Sequence, residues 1–120
     1  SDGSTFGGYP LACVAGTAAL KVFEEEKLAE QSAIKGKILK KRIEAIAKKS
    51  PHVKEVRGKG LFIGIEVKEN NAMEFCRKLL KLGLIVNDSH GHTIRISPPL
   101  IINEEEMDFM VKQLEKVLVD

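Results

Sequence analysis

The sequence predicts an α+β fold: a two-layer small domain, helices packed on one face of a small, mostly antiparallel sheet, preceded by a connector helix. Three observations lead there. Apolar residues recur at helical spacing in four separate stretches. Between these stretches lie short runs that alternate apolar and polar residues and are punctuated by glycines. No internal repeat, low-complexity tract or linker follows Pro10, so the 120 residues read as one layered core.

Taken in order, Leu11, Val14, Ala15, Ala18, Val22 and Phe23 share one helical face, and the charged run Glu24-Glu25-Glu26-Lys27 closes that first helix. A second helix is expected from Leu28, with Ile34, Ile38, Ile43 and Ile46 inward, stopping before Ser50-Pro51. Val53 to Arg57 and Leu61 to Val67 read as strands of a hairpin turned by Gly58-Lys59-Gly60, with Leu61, Ile63, Ile65 and Val67 on one face. Gly64 inside the second strand marks a bulge or a close approach by another backbone. Asn71 and Glu74 have the spacing of a capping box, opening a helix with Ala72, Phe75, Cys76, Leu79 and Leu80 inward and Gly83 as its stop. Leu84-Ile85-Val86 is a short buried strand with Thr93 to Ser97 as its expected partner. Asn103 and the acids Glu104, Glu105 and Glu106 suit the start of the last helix, whose inner face is Met107, Met110, Val111, Leu114, Val117 and Leu118.

Composition narrows the function classes. With 43% hydrophobic residues, 30% charged residues and a formal net charge of +2, the chain is too balanced for a nucleic-acid surface. The lysines at 37, 40, 41, 48 and 49 lack interleaved aromatics and read as a solvated helix face. No run approaches the roughly twenty apolar residues of a membrane span, and no signal pattern opens the chain, so a cytoplasmic location without membrane contact is expected. Cys13 and Cys76 are expected to be free thiols in a reducing compartment. With His52, His90 and His92 they offer no metal-ligand spacing, and His90-Gly91 reads as a turn.

Two segments carry chemistry. Around Ile94-Arg95-Ile96, alternation places the isoleucines on one face and Arg95 on the other, and the strand stops at Pro98-Pro99, which cannot donate to a ladder. A guanidinium near the end of a strand is a planar clamp for a carboxylate, although an arginine there is often only solvated or ion-paired. At the other end, Gly3-Ser4-Thr5-Phe6-Gly7-Gly8-Tyr9-Pro10 gathers glycines and two hydroxyls ahead of an expected helix, a grouping that suits an anion such as phosphate or serves simply as a lead-in.

Together with Arg57-Gly58-Lys59-Gly60-Leu61, Gly83-Leu84, His90-Gly91 and Pro98-Pro99-Leu100, these segments resemble, over essentially the whole chain, the C-terminal part of class III, fold-type I aminotransferases that use pyridoxal phosphate. Ornithine and acetylornithine aminotransferases are the most similar in motif. The resemblance implies transfer of an amino group from ornithine or a related ω-amino acid to 2-oxoglutarate, in a homodimer that shares its active sites. It implies that Ser4 and Thr5 reach the phosphate of the cofactor in the neighbouring subunit and that Arg95 handles the substrate carboxylate. In some members the matching arginine pairs instead with a glutamate of the large domain.

By the same resemblance, residues 1–10 end the cofactor domain, residues 11–27 form the connector helix and residues 28–120 the small domain. The lysine that holds the cofactor lies upstream in the family, so no catalytic residue is assigned and the chain is expected to be inactive by itself. One departure is Tyr9, where family members commonly carry asparagine. The other reading of the residues is a free-standing interaction domain without catalysis, in which Arg95 is a surface residue.

Overall fold

The computed structural model describes residues 11–12 and 25–120. Its elements are β1 (Leu11–Ala12), α1 (Glu25–Lys49), β2 (Val53–Lys59), β3 (Phe62–Val67), α2 (Ala72–Lys81), β4 (Leu84–Ile85), β5 (Asn87–Ser89), β6 (Thr93–Ile96) and α3 (Glu104–Val119). Four strands form one antiparallel sheet in the order β2-β3-β6-β5, and β1 pairs with β4 in parallel. Strand alternation buries Ile63, Ile65 and Val67 of β3 and Ile94 and Ile96 of β6. They share a single core with Leu39, Ile43 and Ile46 of α1, Phe75, Cys76 and Leu79 of α2, and Met107, Met110, Leu114 and Leu118 of α3. The expected α+β two-layer architecture is what the chain adopts, and no helix of the described residues is long and apolar enough to cross a membrane.

The expected inner face of α3 is buried throughout, whereas α1 and α2 each leave exposed some residues expected inward. Along α1 the buried residues are Gly36, Leu39, Ile43 and Ile46, while Ile34 and Ile38 are each 49% exposed. Two apolar stripes compete on this helix. The one that contains Gly36 wins because only a residue without a Cβ admits the neighbouring turn at Gly60. Glu25 to Lys27, expected as the tail of a preceding helix, are continuous with the helix that runs on to Lys49. In α2, Ala72, Phe75, Cys76 and Leu79 are buried as expected, but Leu80 is 53% exposed.

Caps also divide. Asn103 forms a full capping box, its Oδ1 accepting from Glu106 N at 2.7 Å while Glu106 Oε1 accepts from Asn103 N at 3.1 Å. Asn71 makes no side-chain cap bond, and its Oδ1 is buried without a partner among the described residues. The start of α2 is tied down by tertiary contact instead, with Ala72 N donating to Gly91 O at 2.9 Å. Ser50, buried after α1, donates to the Leu118 carbonyl at the end of α3 and accepts from His52 N and Val53 N.

Strand pairing brings the remaining corrections. The β2–β3 hairpin turns at Gly60-Leu61 rather than at residues 58–60, because β2 runs on to Lys59, which pairs with Phe62, and Gly60 takes the left-handed angle of φ 57°. Leu11–Ala12, expected to open a helix, lie extended against Leu84–Ile85. The helical periodicity there is overridden by a nonlocal partner for the backbone. Leu84–Ile85 therefore do not pair with β6, whose outer neighbour is Asn87–Ser89. Residues 13–24, including Cys13 and most of the expected connector helix, lie outside the described residues.

Candidate anion-binding face

Residues directly opposite one another on antiparallel strands share a face of the sheet. On the face away from the helices this rule builds one row, Arg57, Gly64, Arg95 and Asn87, and a second row, Glu55, Glu66, Thr93 and Ser89. The first row floors a shallow trough of about 420 Å³ lined also by Phe62, His90 and Ser97. Gly64 leaves the centre of the row open. A Cβ there would sit 3.2 Å from the Thr93 methyl, so the close approach expected at this glycine is to a side chain on β6, within a regular register.

The two arginines of the row differ. Arg57 Nη1 lies 2.5 Å from Glu66 Oε1 and 3.6 Å from Glu55 Oε2, and Lys54 Nζ lies 3.4 Å from Glu66 Oε2. The hydrogen bond from Arg57 holds the Glu66 carboxyl below its usual range, and the same bond raises Arg57. Arg95 is exposed, and its guanidinium has no hydrogen-bond or ion-pair partner among the described residues. Ile94 and Ile96 on either side of it are buried, so the strand fixes the direction in which Arg95 projects.

Turns around the trough are latched by α1. Ser32 Oγ accepts from Leu61 N at 3.1 Å, and Gly36 packs directly on the Gly60 backbone. Lys35 Nζ donates to the carbonyls of Leu100 at 2.6 Å and Ile102 at 2.9 Å, holding the loop that follows Pro98-Pro99. One ammonium thus satisfies two carbonyls of a loop that proline prevents from joining the sheet. At the far side, His90 and Gly91 form the tight turn into β6 with φ 55° and 76°, and the His90 and His92 side chains face solvent.

Sequence reasoning singled out Arg95, and the structure places it on the polar face as expected. Ser4 and Thr5 lie outside the described residues, as does Tyr9. Leu11–Ala12 pair with Leu84–Ile85, and two residues further on Asn87 pairs with Arg95. A single stretch, residues 84–89, therefore joins the N-terminal strand to the Arg95 strand, roughly 7 Å apart along an extended backbone. The Glu55–Arg57–Glu66 network and the Ser32–Lys35–Gly36 latch were not anticipated. For the network a signal exists in the period-two polar residues of β2 and β3, but their pairing depends on the hairpin register.

The family model for class-III aminotransferases matches residues 1–118. Ornithine aminotransferase of Bacillus subtilis (strain 168) is 47% identical over 118 residues, which is 98% of this chain and 29% of that protein. The enzyme of the same name from Macrococcus caseolyticus is 46% identical over 117 residues, with the same coverage of 98% and 29%. Among solved structures, acetylornithine aminotransferase from Elizabethkingia anophelis superposes with a TM-score of 0.76 at 36% identity, covering 85% of this chain and 26% of that one. Plasmodium falciparum ornithine delta-aminotransferase gives a TM-score of 0.74 at 38% identity, covering 82% and 26%. The chain thus spans about 29% of the length of the curated relatives it matches. On sequence and on fold together, it belongs to the class-III aminotransferase family.

Proposed function

We propose that this chain forms the substrate-facing C-terminal part of an ornithine-type aminotransferase, which moves an amino group from ornithine or a related ω-amino acid to 2-oxoglutarate. In this reading residues 1–10 belong with the cofactor domain and residues 28–120 form the small domain. The observation that carries it is Arg95: a guanidinium aimed by two buried neighbours, projecting over an open trough, with no partner among the described residues. Such a group binds a carboxylate through two parallel hydrogen bonds, and both substrates carry one.

The donors at Ser4 and Thr5, set among Gly3, Gly7 and Gly8, have the chemistry that a phosphate dianion requires: hydroxyls and backbone N–H groups free to converge. Pyridoxal phosphate, when bound, supplies the electron sink for the transfer. The role of this chain is to hold that phosphate through Ser4 and Thr5 and to orient the substrate through Arg95. A homodimer that shares these sites and a cytoplasmic location are part of the same proposal. So is the absence of transaminase activity from the 120 residues alone.

Arg95→Lys in the complete enzyme tests the reading. Lysine keeps the charge but not the planar fork, and losing a charge-assisted hydrogen bond costs about 1.5–3 kcal/mol, or about ten- to a hundredfold in kcat/KM. Thermal unfolding should be unchanged, since Arg95 is exposed and makes no hydrogen bond or ion pair among the described residues. Unaltered kcat/KM for both the amino donor and 2-oxoglutarate would reduce Arg95 to a surface residue.

A further inference from the structure

One carboxylate on the open face stands within reach of both arginines. Arg57 and Arg95 lie opposite Gly64 from its two sides, so Glu66, two residues along β3 on the same face, is a diagonal neighbour of each. Diagonal pairs are about 7–8 Å apart at Cα, a gap that a glutamate and an arginine bridge easily. Glu66 is nevertheless committed to one side, with Arg57 at 2.5 Å and Lys54 at 3.4 Å. On the opposite flank the β6 residue paired with it is Thr93, which is neutral, with Arg95 just beyond.

This choice has a physical cause. Glu55 stands directly opposite Glu66, and like charges at that position repel. Arg57 bridges the two carboxylates and offsets the repulsion. Without Arg57, only Lys54 at 3.4 Å still offsets the repulsion from Glu55, and Glu66 is freer to turn toward β6, where Arg95 is its diagonal neighbour. A carboxylate tethered on the same sheet has an effective concentration in the millimolar range or above, enough to compete with a free substrate.

We propose that Arg57, assisted by Lys54, is a positioning residue that holds Glu66 off Arg95 and so keeps the Arg95 guanidinium open to the substrate carboxylate. The proposal rests on the reading of Arg95 as the carboxylate clamp. Arg57 itself need not touch substrate. It acts by occupying an internal competitor.

Steady-state kinetics of the complete aminotransferase carrying this chain, with 2-oxoglutarate as the varied substrate, test it. Arg57→Gln should raise KM by about two- to fivefold, the scale of one exposed ion pair, while kcat changes far less. Arg57→Lys, which keeps a cation on Glu66, should hold KM near its original value. The decisive variant is the double substitution Arg57→Gln with Glu66→Gln, in which the competitor is uncharged and KM should return to the parent value. A loss of packing at Arg57 would not be rescued this way. If Arg57→Gln does not fold, Lys54→Gln reads the same competition from a side chain that is 63% exposed, with a smaller rise that Glu66→Gln again abolishes. Unchanged KM in the single variants, or a raised KM that persists in the doubles, overturns the proposal. Arg95→Gln separates the two ideas. If it raises KM while Arg57→Gln does not, only the positioning role fails. If it leaves KM unchanged, the clamp itself is wrong.

Discussion

Replacing Gly36 by alanine sets local helix preference against tertiary packing. In an isolated helix the change favours folding by about 0.5–1 kcal/mol, because glycine gives up more backbone freedom than alanine. Here a Cβ on residue 36 would come within 1.9 Å of the Gly60 oxygen, 2.2 Å of its carbonyl carbon and 2.8 Å of its Cα. All three are backbone atoms, so no rotamer relieves the clash. Ordinary contact begins near 3.4 Å, and α1 or the turn must withdraw by about 1.5 Å. The turn is itself constrained by the left-handed angle at Gly60. Overpacking of this kind costs about 1–3 kcal/mol, and the required shift puts it toward the upper end. Subtracting the helix gain leaves a net loss of about 1–2 kcal/mol, or a fall in Tm of roughly 4–8 °C for a domain of this size. Thermal unfolding followed by circular dichroism measures it. Hydrogen exchange at the Leu61 amide provides a local check, because its bond to Ser32 Oγ spans the gap that must widen. A Tm equal to or above that of the parent would show that α1 does not seat on the turn through Gly36.

Two further outcomes follow from particular contacts. Asn103→Ala removes the acceptor for Glu106 N and should destabilise the chain by about 1 kcal/mol, whereas Asn71→Ala removes a side chain that makes no cap bond and should cost clearly less. Urea unfolding of the two variants side by side checks this, and equal losses would contradict the difference between the caps. Burial, and secondarily the charge of Asp88, pushes the Cys76 thiol from its ordinary 9.0 up to about 11. The folded chain therefore keeps a proton that the unfolded chain releases above about pH 9, so this group's contribution is constant below pH 9 and stability falls as pH rises toward 11. Cys76→Ala should lack that part of the alkaline slope, and alkylation of Cys76 by iodoacetamide should track unfolding. Rapid labelling of Cys76 itself, located by peptide mapping of the native chain near neutral pH, would contradict the burial.

The local sequence determined the kind of most elements and much of their orientation. Alternation in β3 and β6 is strict because every second side chain must enter the core, so Ile63, Ile65, Ile94 and Ile96 face inward and Arg95 is left on the open face. The apolar stripe of α3 and its Asn103 cap were legible for the same reason, since both depend only on residues within a few positions. Tertiary structure decided what depends on a partner elsewhere in the chain. Leu11–Ala12 are extended because Leu84–Ile85 offer them a backbone to pair with. Ile34 and Ile38 face outward because a glycine on the adjacent stripe lets the Gly60 turn approach α1. Glu66 meets Arg57 rather than Arg95 because the hairpin register sets it opposite Glu55 and diagonal to both arginines. Periodicity reports which residues share a face, whereas register and close approach depend on contacts between segments distant in sequence.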